Sequence, residues 1–82
     1  MKNNTGTHMN KDGWMIGDVV MFDPFAGSYA KWFGGHMAVI ESMSYAKDGK
    51  LHFRVRWLKP VEYFDSFSEI SDFGAEKFVK PN

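Results

Sequence analysis

Lys50-Leu51-His52-Phe53-Arg54-Val55-Arg56-Trp57-Leu58 is the stretch that decides the fold. Leu51, Phe53, Val55 and Trp57 alternate with His52, Arg54 and Arg56. Period two is the pattern of a β-strand with one face in a core and the other in solvent. The reading therefore puts the four apolar side chains inside and points Arg54 and Arg56 away from them. Just upstream, Ala46-Lys47-Asp48-Gly49 ends a second β-rich run over residues 36–44. Asp-Gly favours the positive φ angles of a two-residue hairpin turn. Residues 36–44 and 50–58 are thus expected to form a hairpin turning at Asp48-Gly49.

Working outward, Gly17-Asp18-Val19-Val20-Met21-Phe22 reads as a strand that stops at Asp23-Pro24, because proline has no N–H to donate to a ladder. Residues 24–35 then form a long loop holding Phe25, Tyr29, Trp32 and Phe33, punctuated by Gly27, Gly34 and Gly35. Loops of this length in small domains are often functional. Beyond Lys59-Pro60, residues 61–67 are expected to be a fourth strand or an irregular extension. Ser71-Asp72 is expected to cap a single helical turn running from Gly74 to Lys77, and Phe78-Val79 to be a last short strand. The sum is an all-β chain: a small SH3-like barrel of about five short strands with one short helical turn near the C-terminus. The alternative is an open antiparallel sheet with one short helix across it.

Composition sets the bounds. Eighty-two residues make one domain, expected over residues 14–82, behind a polar leader of residues 1–13 that is expected to be disordered. The pair His8-Met9 in that leader fits a cloning junction. The chain has no Cys, so neither disulfides nor a thiolate metal site can staple it, and a reducing, cytoplasmic setting is expected. Eight Phe, three Trp and three Tyr must supply the core instead, each burying roughly 150–250 Å². No apolar run approaches 18 residues, so no membrane partner is expected. Net charge is zero but uneven. Residues 31–60 carry six Lys or Arg against two acids, and residues 61–82 carry five acids against two Lys. Neither half has the basic excess of a duplex-coating protein.

Three motifs taken together resemble the YodC-like small bacterial and phage proteins: Gly17-Asp18-Val19-Val20, Gly34-Gly35-His36-Met37-Ala38-Val39, and Arg54-Val55-Arg56-Trp57. The resemblance spans roughly half the chain. It departs at His36, where that family usually has Pro, and in the longer segment between the first two motifs. The run from Phe53 to Trp57, followed by an acidic aromatic stretch, is also similar to Tudor and chromo-type barrels. The resemblance implies an SH3-like (Tudor or KOW-type) fold and a binding habit, and no reaction.

No catalytic pattern competes with that expectation. His8, His36 and His52 lack metal-ligand spacing, and Asp18, Asp23 and Asp72 each have a turn or capping role. Asp65 is a lone carboxylate. There is no nucleophile elbow, no phosphate-binding loop and no Cys nucleophile, and neither cofactor nor metal is expected. Aromatics carry the functional expectation. Phe25, Tyr29, Trp32 and Phe33 on one loop, with Tyr63, Phe64 and Phe67 on another, exceed what so small a core absorbs. The first four with Tyr63 and Phe64 are the candidate protein-binding surface. Proline-rich peptides, methylated cations and single-stranded bases all suit aromatic grooves. The leading expectation is a non-enzymatic binding module, a phage or mobile-element accessory protein engaging a host protein. The alternative is a nucleic-acid-binding barrel using Lys31, Arg54 and Arg56.

Overall fold

The alternation of residues 51–57 becomes burial in the computed structural model, which describes residues 13–81. Leu51, Phe53, Val55 and Trp57 are buried, while Arg54 and Arg56 are exposed. The expected buried face of this strand is therefore the observed one. The leader expectation falls on residues outside those described, apart from Gly13.

The elements run β1 (Val19–Phe22), α1 (Ala30–Phe33), β2 (Met37–Tyr45), β3 (Leu51–Tyr63), β4 (Ser66–Gly74), a 3-10 turn (Ala75–Lys77) and β5 (Phe78–Val79). All five strands pair antiparallel in one sheet of order β4-β3-β2-β1-β5. The first four form a meander, and β5 returns to β1 through Met21↔Val79 and Phe22↔Phe78. The chain is thus all-β, with the helical turn just before the last strand, as the sequence predicts.

Three local expectations are corrected. The β2–β3 turn is longer than two residues. Ala46 N–H donates to Lys50 O at 2.8 Å and Gly49 N–H to Ala46 O at 2.9 Å, enclosing Lys47, Asp48 and Gly49. Only Gly49 has positive φ there, at 83°. Asp48 keeps an ordinary φ, and its carboxylate accepts from Lys50 N–H at 2.9 Å, which suits a turn followed by a glycine bulge. Next, Lys59-Pro60 does not end a strand: β3 continues to Tyr63. Its register with β4 shifts between Arg56 and Val61, so Pro60 lies where the β3–β4 ladder is interrupted. Finally, Asp72 is not a helix cap. It lies in β4 opposite Arg54, and the 3-10 turn starts after Gly74 with no side-chain cap.

The core is aromatic. Phe22 sits in it fully buried, with Phe73, Phe78 and Phe33 at 5.0, 5.5 and 6.0 Å between ring centroids. Phe78 also meets Phe53 at 5.7 Å, so side chains bridge the gap between β5 and the β3–β4 side that no strand pairing closes. Trp57 is buried with its indole N–H donating to Ser71 Oγ at 2.9 Å, which satisfies its one polar atom. At the hairpin end, Trp14 packs edge-on against Phe53 at 5.2 Å.

Two outcomes follow. Phe22→Ala should destabilise by about 3–5 kcal/mol in chemical denaturation, since the cavity opens at the centre of the aromatic contacts. Gly49→Ala should cost about 1–2 kcal/mol, the penalty of a left-handed non-glycine residue, because a Cβ there meets no atom within 4 Å. A neutral Gly49→Ala would contradict the turn.

Candidate functional site

The aromatic-rich connection of residues 24–35 is pinned at both ends to Phe22. Phe22 N–H donates to His36 O at 2.9 Å and Phe22 O accepts from Gly35 N–H at 2.8 Å. Asp23 Oδ1 accepts from Phe25 N–H at 2.9 Å, turning the chain out of β1. Sequence patterning predicts a loop throughout this connection, whereas residues 30–33 form the single turn α1. Gly34 makes that turn possible: a Cβ there would lie 2.5 Å from Ala30 O and 3.0 Å from Pro24 Cα.

One helical turn separates the aromatics. Phe33 points inward, 2 % exposed, and stacks on Trp57 at 5.1 Å with 20° between planes. It belongs to the core, so the expectation that it lines a binding surface is corrected. Tyr29 and Trp32 stay at the surface, respectively exposed and half-buried. Phe25 is 93 % exposed and has no ring contact among the described residues, so it stands apart from the others.

The β3–β4 hairpin supplies the facing rings. Tyr63 pairs with Ser66, leaving Phe64 and Asp65 as a two-residue turn. Phe64 has φ of 57°, the one non-glycine residue with positive φ among those described. For a bulky side chain this is a strained conformation. Its ring lies 5.0 Å from Trp32 and 4.6 Å from Tyr63, yet remains 66 % exposed. Trp32 meets Tyr63 edge-on at 5.0 Å, and Tyr29 meets Tyr63 at 6.1 Å. Partial burial, reinforced by the neighbouring Tyr29 phenol, raises the Tyr63 phenol above its ordinary range, so it stays neutral at physiological pH. Tyr29, Trp32, Tyr63 and Phe64 therefore form one continuous surface from two distant stretches of chain.

Phe73 is the residue that the sequence reading missed. Placed beside a presumed cap, it instead lies in β4, half-buried, 5.4 Å from Tyr29 and 5.2 Å from Phe33. The signal was the alternation of Ser71 and Phe73 with Ile70 and Asp72, which continues the β-strand pattern. Phe67, also on β4, is 68 % exposed.

The basic candidates do not gather. Arg54 Nε and Nη2 donate to Asp72 at 2.8 and 3.0 Å, and Arg56 Nε donates to Glu41 at 2.6 Å. Lys31 is elsewhere, its Nζ 4.3 Å from the Trp32 ring centroid and beside a groove that includes Glu62 and Phe64. Among the described residues no three His, Asp or Glu converge to hold a metal ion, and no helix is long and apolar enough to cross a membrane.

Hydrogen bonding to Arg54, reinforced by its charge, lowers the Asp72 carboxyl below its ordinary value. A depressed folded-state value means that the pair contributes fully above the unfolded value near about 3.9 and is lost as pH falls through the folded one. Both side chains are more than half exposed, so the effect on stability is small. A carboxyl titration followed by NMR should put Asp72 below that reference. A midpoint at or above it would contradict the pairing.

Comparison of the chain with family models, with curated proteins and with solved structures finds no match, so the functional reading rests on this geometry.

Proposed function

We propose that the sheet is an SH3-like barrel of the YodC-like kind, and that the chain is a non-enzymatic binding module of the cytoplasm. On this reading it is a phage or mobile-element accessory protein that engages a host protein. Its contact surface is Tyr29, Trp32, Tyr63 and Phe64.

The observation that carries the reading is Phe64. A residue that only capped the core would be buried, and a two-residue turn would favour Gly or Asn at positive φ. Here the turn holds a Phe in a strained backbone with most of its ring in water, against Trp32 and Tyr63. Exposed aromatic groups of this kind mark partner surfaces, and binding hot spots favour Trp and Tyr. The nucleic-acid reading has less support, because Arg54 and Arg56 already face Asp72 and Glu41.

Phe64→Gly separates binding from folding. Glycine accepts the φ of this turn, and the lost ring is largely exposed, so the melting temperature should change little. Partner capture in a nuclease-treated pulldown should weaken by at least about 2 kcal/mol, the typical loss at a hot spot. Trp32→Ala is the poorer probe because Trp32 also packs against the core. Undiminished capture by Phe64→Gly would sink the proposal. Loss of capture on nuclease treatment, or in the Arg54→Ala, Arg56→Ala double variant alone, would favour nucleic acid instead.

A further inference from the structure

Among the described residues the sheet has two edges, and they are guarded unequally. The β5 edge is two residues long and is followed by Lys80-Pro81, a cation and a residue that cannot donate. The β4 edge runs for nine residues with no Lys, Arg or Pro. Among the described residues its backbone bonds only to β3, so every second N–H and C=O along its outer side is unpaired. Natural sheets usually blunt such a strand with Lys, Pro or short length.

Beside this edge lies a groove of about 350 Å³. Ser68, Ser71 and Phe73 of β4 form one wall, and Tyr29 and Tyr63 of the aromatic surface reach into it. An added strand takes affinity from main-chain hydrogen bonds and specificity from pockets for alternate side chains. The edge and the groove supply these two requirements side by side.

Charge selects the occupant. Residues 61–74 contain four acids and no Lys, Arg or His. Asp72 is neutralised by Arg54, whereas Glu62, Asp65 and Glu69 have no ion pair among the described residues. A second copy adding β4 to β4 would bring two such acidic arms together. A second copy adding β5 would supply only two strand residues. We infer that β4 receives an extended basic segment of a partner protein as a sixth strand, with alternate apolar side chains in the groove and the intervening Lys or Arg near Glu69 and Asp65. This rests on the proposed aromatic surface and names how its partner is held.

The test uses an array of nine-residue synthetic peptides with Lys at alternate positions and Val, Leu, Phe, Tyr or Pro between them. Binding is read by fluorescence anisotropy, and hydrogen exchange of the full chain is followed by NMR. The best binder should slow exchange across Ser66–Gly74 and perturb Tyr29 and Tyr63. Methylating its alternate backbone nitrogens, replacing its Lys by Glu, or introducing Glu69→Lys should each weaken it by roughly tenfold or more. Phe25→Ala should leave it unchanged. Peptide binding that perturbs Tyr29 and Trp32 without protecting β4 would overturn strand addition and leave the aromatic surface standing. Absence of binding across the array would overturn the inference while leaving the pulldown result for Phe64→Gly to judge that surface. Protection of β4 that rises with protein concentration alone, without peptide, would assign the edge to a second copy and overturn the basic occupant.

Discussion

The stack of Phe33 on Trp57 is the contact on which the candidate site depends. Trp57 belongs to the alternating face of β3, and Phe33 belongs to a connection that sequence patterning alone leaves unstructured. Burying Phe33 fixes the single turn of α1 against the sheet. Tyr29 and Trp32 precede it in the same turn and are consequently held at the surface. Phe33 also lies 5.3 Å from Tyr63 and 5.2 Å from Phe73, so one buried ring sets the spacing between the connection and the β3–β4 hairpin.

This arrangement answers the constraint of size. A domain of this length buries only about 60 % of its unfolded surface. With no disulfide to help, it must use large side chains. Phe22, Phe33, Phe53, Trp57 and Phe78 provide a core with rings from β1, α1, β3 and β5, Ala38 and Ile40 add the buried side chains of β2, and Phe73 brings β4 in from its edge. The same economy produces the surface rings. The last aromatics at the end of the core are half in and half out, where they both close the interior and face solvent. Among the four rings of the candidate surface, Phe64 alone goes beyond closure, since its strained backbone serves a ring that stays mostly in water.

The β2–β3 hairpin, the buried face of β3 and the all-β class were legible in the sequence because alternation of Leu51, Phe53, Val55 and Trp57 depends on local period alone. What was not legible depended on partners distant in the chain. Asp72 looks like a cap until Arg54 is seen across the ladder, and Pro60 looks like a stop until the register shift accommodates it. The fate of Phe33 turned on a helical turn too short to leave a periodic signature. In the site, the grouping of Tyr29 and Trp32 with Tyr63 and Phe64 was readable as a crowding of rings in two segments. The separation of Phe25 and Phe33 from that group was not, because neighbours in a loop can face opposite ways.

The central claim is that the connection of residues 24–35 is part of the folded core and not a loop laid over it. Native-state hydrogen exchange tests it directly. Gly34 N–H donates to Ala30 O and Gly35 N–H to Phe22 O, both at 2.8 Å. The account predicts that these amides open with the same free energy as those of Phe53 and Val55 in β3, because Phe33 cannot leave without opening the core. Exchange of Gly34 and Gly35 through local fluctuation, at a free energy well below that of β3, would contradict it.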